Sequence, residues 1–340
     1  MSVAEVLVFT GVGRAFERRE VPLPERLSAG EVLVAIDLAT ICGSDLHTVE
    51  GRRSAPLPCV LGHEGVGHVV ASQRFGVVPG QRVTWTLADS CGHCSPCSRW
   101  RLPQKCDHLF KYGHAAWGDG HGLNGCYASH VVLRPGTTVV PVPDGLSDAL
   151  VAPANCALAT VINALEVLPD PCQRVLIQGS GLLGIYAAAW LKCRGIEEIY
   201  CVDLSAERLA AMPAFGAQPI VAGQALPLVD LVLELAGTSQ VIDEGVRCLR
   251  PGGHYVWAGM VHPQTPLDLL GETVVKGCLT VRGVHNYAPP HLVAGLEFLA
   301  QHRERFPWAD LVSPPLKLAE LDLAFDLTRQ RRWQRVSVRP

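Results

Sequence analysis

RVLIQGSGLLG, residues 174–184, is an apolar strand running into a glycine-punctuated turn, and the helix-forming IYAAAWLKC follows at once. The spacing Gly179-x-Gly181-x-x-Gly184 answers a physical need. The first glycine permits the tight turn and the second lets the backbone approach a pyrophosphate. The third lets helix and strand pack closely, so that free N–H groups at the helix N-terminus face the anion. A lone GxGxxG is a weak signal. Here an acidic residue, Asp203, ends the next apolar stretch, IYCVDL, about twenty residues on. A carboxylate there hydrogen-bonds a ribose 2′-OH and repels a 2′-phosphate, which points to NAD rather than NADP. Leu182 and Leu183 inside the turn and Arg208 after the second strand join these residues as cofactor-binding candidates. Ala236 and Gly259 end later strands at the carboxyl edge where a nicotinamide should lie, although ordinary strand-end turns read the same way.

Outward from this motif, strands alternate with helices: EIYCVDL, a helix over 205–212, LVDLVLELAG, VIDEGVRCLR, HYVWAGM and LTVRGVH. That alternation predicts a doubly wound parallel sheet. The first half differs. VLVFTG, EVLVAIDLAT, VGHVVAS, QRVTWTL and ASHVVLRP are short β segments broken by Gly and Pro, which predicts an irregular β-rich domain. DALVAPANCALATVINALEVL (148–168) reads as one long helix between the two regions. After about residue 285 a helix (HLVAGLEFLAQHRER) and a strand (RVSVRP) are too little for a domain and should return to the first. The expected division is therefore 1–150 with 286–340 around 151–285, in an α/β protein.

Composition narrows the function classes. A chain of 340 residues suits about two domains, and 48% hydrophobic against 18% charged residues is globular. A net charge of −3 without a basic stripe argues against nucleic acid, and no apolar run is long enough to span a bilayer. The N-terminus lacks a basic start followed by an apolar core, so no signal peptide is expected. Thirteen scattered cysteines, an odd number, suit thiols in a reducing cytoplasm rather than a disulfide framework.

Four of them form Cys91-x2-Cys94-x2-Cys97-x8-Cys106. Four thiolates so close in sequence can close a tetrahedron around zinc and leave no position for substrate, which marks a structural site. Free thiols in a loop and an iron–sulfur cluster remain alternatives. A catalytic zinc must keep an open position. Cys42-Gly43-Ser44-Asp45-Leu46-His47, Gly62-His63-Glu64 and Cys156 in PANC supply suitable ligand types, yet an isolated Cys or His is more often core than ligand.

Together and in this order, CGSDLH, GHE, the four-cysteine loop, PANC and the GxGxxG turn with its Asp resemble the zinc-dependent medium-chain alcohol dehydrogenase/reductase family over essentially the full length. The resemblance implies a GroES-like β-rich catalytic domain with two zinc sites and a Rossmann NAD-binding domain. It also implies a small-molecule substrate and a homodimer or homotetramer. Cys42, His63 and Cys156 would bind catalytic zinc, with Glu64 a nearby acid able to approach the metal and Asp45 bracing His63. Ser44 would take the substrate hydroxyl proton and His47 would pass it towards solvent, while the alcohol carbon gives a hydride to NAD+. Polyol-type relatives carry a Glu ahead of the proline in the third-ligand stretch. Here Ala152 stands there, which strengthens Cys156 as the ligand. Relatives usually have seven residues between the last two loop cysteines and this chain has eight, an extra residue that bears on the loop's shape. His68 reads as a strand residue rather than a ligand.

The substrate is the least legible part. Arg52 and Arg53 follow the relay stretch, and arginines suit phosphate or carboxylate groups, although two solvated surface arginines read the same way. Lys111-Tyr112-Gly113-His114 with Trp117 is a second polar stretch able to reach the cleft. CGSDLHTVEGRRSAPLPCVLGHE, LPQKCDHLFKYGHA and APANCALAT resemble a subgroup of phosphonate-catabolism-associated alcohol dehydrogenases, which implies a small phosphonate-bearing alcohol or aldehyde. A neutral primary or secondary alcohol or polyol dehydrogenase is the alternative. Further alternatives are a non-catalytic NAD-binding relative and a metal-free enone or quinone reductase.

Overall fold

The apolar strand Arg174–Gln178 lies inside a six-stranded sheet in which every described pairing is parallel. Its order is Gln218–Val221, Glu198–Asp203, Arg174–Gln178, Val229–Glu234, Leu249–Trp257, Thr280–Gly283. The chain direction across the sheet reverses between the third and fourth of these, and that switch opens a crevice at the strands' carboxyl ends. Val229–Glu234 is buried along its whole length, its acidic residues Asp230 and Glu234 included, as a strand covered on both faces must be. This is the doubly wound sheet the alternation predicts. The structure is a computed structural model describing residues 2–261, 266–267 and 269–340. By contacts the chain divides into two units, Met1–Cys156 with Tyr287–Arg303 and Trp308–Pro340, and Ala157–Asn286 with Glu304–Pro307.

The first unit is β-rich. Its main sheet runs Val139–Pro141, Arg82–Trp85, Glu64–Ser72, Val32–Thr40, Ser337–Arg339, Leu316–Lys317, and His130–Leu133 also pairs with Val32–Thr40. A three-stranded sheet of Glu17–Pro22, Val3–Phe9 and Cys59–Val60 accompanies it. The C-terminal strand returns as expected, pairing Ser337 with Thr40 and Val338 with Ala39. Trp85, Tyr112, Tyr127 and Phe325 help fill a core cluster of this unit. His68 stands exposed on its strand and pairs with Asp37 at 2.5 Å.

Two expectations need correction. The stretch 148–168 is not one helix. It forms Asp148–Val151, a 3-10 turn over Ala152–Asn155 and, after a break at Cys156, Ala157–Ala164. Pro153 has no N–H to donate to a carbonyl one turn back, so the chain tightens there, and Cys156 leaves helical geometry at φ −125° and ψ −66°. The return segment also holds a helix that the sequence reading missed, Leu321–Gln330, which buries Leu321, Ala324 and Phe325. Their i, i+3, i+4 spacing is the signal that was available.

Candidate active site and metal centres

Strand register assembles the first site. Thr40 lies opposite Glu64, so the end of one strand brings Cys42 beside His63 and Glu64 at the start of its neighbour. Gly62 enables the approach: at φ +89°, a Cβ there would fall 2.9 Å from the Tyr127 ring. The fourth residue comes through Asn155, whose side-chain amide donates to the carbonyls of His63 and Trp85, each at 3.1 Å. The break at Cys156 then frees that thiol from the helix. One ligand atom each from Cys42, His63, Glu64 and Cys156 lie within 4.8 Å of one another.

Hydrogen bonds orient this cluster. Asp45 opens the helix Gly43–Val49, and its carboxylate accepts the Cys42 N–H and the Tyr127 hydroxyl, each at 3.0 Å. Its other oxygen lies 3.4 Å from His63 Nδ1, which leaves Nε2 for a metal. Arg335 grips Glu64 with two N–H groups at 2.8 and 3.0 Å and reaches Cys42 Sγ at 3.7 Å, while Thr40 donates to Glu64 at 2.5 Å. Arg335 and Glu64 are both buried.

Charge is shared unevenly. A hydrogen bond from Cys156 holds the Cys42 thiol well below its usual range, against burial and with help from Arg335 and His63, and the partner Cys156 is pushed up. The first thiolate therefore forms on Cys42. Burial works against an imidazolium at His63, yet Asp45 and Cys42 outweigh it and raise that group to about 10. A divalent cation would displace these protons. Two sulfurs and one imidazole suit zinc, and Glu64 is already occupied by Arg335 and Thr40.

The second cluster is Cys91, Cys94, Cys97 and Cys106, with ligand atoms again within 4.8 Å of one another. Cys94 Sγ lies 3.4 Å from Cys97 Sγ and 3.7 Å from Cys106 Sγ. A tetrahedron with zinc–sulfur bonds of about 2.3 Å has edges of about 3.8 Å, so the donors fit that ion. Backbone N–H groups of Cys94 and His93 lower Cys91 to about 6, favouring its thiolate. The eight residues between Cys97 and Cys106 place Arg101 at φ +57°, form a 3-10 turn at Pro103–Lys105 and still deliver Cys106.

In the second unit, Gly179 takes φ +108°, and a Cβ on Gly184 would fall 2.0 Å from the Gly179 carbonyl oxygen. A Cβ on Gly181 would meet open space, as a backbone cradle for a ligand needs. Leu182 and Leu183 begin the helix Leu182–Cys193. Asp203 ends its strand, accepts Ser180 N–H and Oγ–H at 2.7 and 2.8 Å, and accepts Ser205 N–H at 2.9 Å. Burial alone would raise its carboxyl, but these donors and Arg208 hold it below the ordinary value.

Residues 28–144 match the family described as alcohol dehydrogenase GroES-like domain, and residues 183–301 match the zinc-binding dehydrogenase family, together about two thirds of the chain. The chain belongs to the zinc-dependent medium-chain dehydrogenase family. It is similar to 5-exo-hydroxycamphor dehydrogenase of Pseudomonas putida, 27% identical over 350 residues and 92% of each chain. It is also similar to an alcohol dehydrogenase of Geobacillus stearothermophilus, 29% identical over 91% of this chain and 90% of that one. Among solved structures, an alcohol dehydrogenase from Thermotoga maritima superposes with a TM-score of 0.91 at 28% identity, over the whole of both chains. By its family the chain is accordingly a zinc-binding dehydrogenase, and the relatives it matches include alcohol dehydrogenases.

Ser44 and His47 of the dehydrogenase lie three residues apart on the helix Gly43–Val49, so they share one face of the helix that begins after Cys42. The two arginines part company. Arg52 is exposed and closes an ion pair with Glu50, while Arg53 is half-buried and feels the charges of Asp45, Cys42 and Cys156. Ala236 and Gly259 sit where the strands Val229–Glu234 and Leu249–Trp257 end. Buried Glu234 ties those ends together by accepting N–H groups of Gly237, Gly259 and Met260 at 2.6, 3.0 and 3.1 Å. Sequence reasoning missed Glu234, Arg335, Asn155 and Tyr127. An arginine heading the otherwise uncharged RVSV was the one local hint. Among the described residues no helix is long and apolar enough to cross a membrane.

Proposed function

We propose that the dehydrogenase transfers a hydride between NAD(H) and a small alcohol, aldehyde or ketone at a centre formed by Cys42, His63 and Cys156. The observation that carries this reading is the convergence of those three side chains from separate parts of the chain into one buried two-sulfur, one-nitrogen set. When bound, zinc supplies the Lewis acid that polarises the substrate oxygen and NAD+ supplies the hydride acceptor. Asp45 fixes the ring of His63, and Tyr127 with the Cys42 N–H fixes Asp45. Ser44 takes the proton of the substrate hydroxyl, and His47, one turn along, carries it towards solvent. A panel of alcohols with NAD+, followed at 340 nm on zinc-loaded protein, tests the reading. NADH formation that is lost when Ser44 becomes Ala supports it. Tight NAD+ binding with no turnover of any panel member would leave only a non-catalytic NAD-binding relative.

Asp203 sets the cofactor preference in this proposal. Asp203→Ser removes a charged hydrogen-bond partner, worth about 1.5–3 kcal/mol. The KM for NAD+ is therefore expected to rise by about tenfold or more, and the preference over NADP+ to shrink by at least as much. Equal KM values for the two cofactors in the unaltered protein would refute this role. The four-cysteine cluster is proposed as a structural zinc site. Cys106→Ser should lower the zinc content from two to one per chain and lower the melting temperature, and an unchanged zinc content would exclude Cys106 as a ligand.

The finer substrate reading is a phosphonate-bearing alcohol or aldehyde, supported by a half-buried Arg53 that feels the charges of Asp45, Cys42 and Cys156. A neutral alcohol suits the same centre equally well. A homodimer or homotetramer is part of the proposal, and the outermost strand of the parallel sheet, Thr280–Gly283, with its exposed residues, supports it.

A further inference from the structure

Two basic residues from different parts of the first unit lie on segments tied to the metal-ligand cluster: the Arg53 N–H donates to the carbonyl of His47, and Lys111 stands two residues before Gly113, where a Cβ would fall 2.4 Å from the Gly62 carbonyl oxygen. Gly51 turns the chain at φ +76°, and the His47 carbonyl accepts the N–H groups of both Arg52 and Arg53, at 2.9 and 3.1 Å. Arg52 forms an exposed ion pair with Glu50, while Arg53 is half-buried and feels the charges of Asp45, Cys42 and Cys156. Lys111 comes from the short strand Phe110–Lys111, held antiparallel to Ala88–Asp89 just after the four-cysteine loop. It is largely buried, and it feels the charges of Arg53, Cys156, Cys42 and Asp45. Burial, then the nearby guanidinium, lower its ammonium to about 8.

Among the described residues, neither the Arg53 nor the Lys111 side chain has a hydrogen-bond or ion-pair partner. The local carboxylates are committed elsewhere. Asp45 serves Cys42, Tyr127 and His63, and Glu64 is gripped by Arg335 and Thr40. His114, with its ring 5.1 Å from that of His63, adds no charge: burial and the charges of Lys111, His63 and Arg53 keep it neutral. The remaining negative charge lies at the Cys42–Cys156 pair, and a divalent cation held there would neutralise it. Two like charges, partly desolvated and uncompensated, are costly unless an anion comes to them.

We propose that Arg53 and Lys111 form an anion-recognition subsite of the active centre, which takes the phosphonate, phosphate or carboxylate group of the alcohol substrate. Arginine offers two parallel N–H donors to such a group, and lysine a mobile point charge. The inference rests on the reading of Cys42, His63 and Cys156 as the place where the alcohol reacts. It adds Lys111, removes Arg52 and makes charge the selector among substrates.

The test compares 2-hydroxyethylphosphonate, 2-hydroxyethyl phosphate and 3-hydroxypropanoate with neutral 1-propanol, in the zinc-loaded protein and in Arg52→Met, Arg53→Met and Lys111→Met. At least one anionic alcohol is expected to exceed 1-propanol in kcat/KM by about tenfold or more, and its rank among the three identifies the group recognised. Arg53→Met and Lys111→Met should each lower that value about 10- to 100-fold through KM, at least tenfold more than for 1-propanol. Arg52→Met should not. Calorimetric titration with methylphosphonate and with acetate gives a readout independent of turnover, and binding should weaken tenfold in the same two variants. Turnover of 1-propanol without anion preference or anion binding overturns the subsite alone. Equal losses on charged and neutral alcohols overturn it too, since the cations would then serve only to balance the thiolates. Methylphosphonate binding that depends on both residues, with no alcohol turned over, leaves the subsite standing and refutes the dehydrogenase centre.

Discussion

Cys42→Ser is expected to lower kcat/KM for every alcohol substrate by a thousandfold or more while the protein stays folded and keeps its affinity for NAD(H). The loss follows from the ligand count. With two sulfurs and one nitrogen the centre holds its metal and still leaves a position for substrate, and Glu64 cannot replace a missing thiolate while Arg335 and Thr40 hold it. Lewis-acid assistance is worth several kcal/mol, and each ~1.36 kcal/mol is tenfold in rate. The fold should survive because the thiol lies at a strand end rather than in the core, and Asp45 would still cap the helix Gly43–Val49 through the backbone N–H at position 42. Cofactor affinity should survive because the glycine turn and Asp203 belong to the other unit. His63→Gln and Cys156→Ser should match this loss, and combining any two should add little, since the three act as one group. Ser44→Ala and His47→Gln should cost less, about 10²–10⁴-fold, because they remove only proton transfer. The check is kcat/KM beside zinc content and circular dichroism. A Cys42→Ser protein with full zinc content and unchanged turnover would move the centre elsewhere.

The second large effect is on stability. Arg335→Met leaves Glu64 buried without its bidentate partner, and breaking a buried pair from one side costs about 3–5 kcal/mol. The deficit should depend on pH in a definite direction. Burial, with the Cys42 thiolate, already pushes the Glu64 carboxyl up against the pull of Arg335. Removing the arginine raises it further above its unfolded value of about 4.3. A group whose folded pKa is raised binds more protons folded than unfolded, so stability falls as pH rises through that interval. Arg335→Met should therefore lie closest to the unaltered protein near pH 5 and furthest from it at pH 8, as measured by urea unfolding. Glu64→Gln added to Arg335→Met should restore most of the loss and flatten its pH dependence. A uniform deficit across that range, unrelieved by the second change, would assign the effect to packing of the arginine stem instead.

The sequence determined whatever depends on neighbours along the chain. The strand, Gly179-x-Gly181-x-x-Gly184 and the helix after it are contiguous, so the turn geometry is written into eleven residues, and Asp203 follows at a distance fixed by one helix and one strand. The four loop cysteines are likewise local. Helical periodicity over 148–168 misled, because it weighs apolar spacing and not the missing N–H of Pro153. Only that break lets Cys156 leave the helix.

Tertiary structure decided what depends on register and on burial. Cys42 meets His63 because Thr40 pairs with Glu64, and Arg335 reaches Cys42 across 293 residues because Ser337 pairs with Thr40. Nothing local distinguishes Arg52 from Arg53. In the fold the first forms an exposed ion pair with Glu50, while the second is half-buried and shares its electrostatic surroundings with Lys111. The sequence supplied the reactive groups. Burial set their charges, since a thiol, a carboxyl or an ammonium withdrawn from water takes its protonation from whatever the fold has placed beside it.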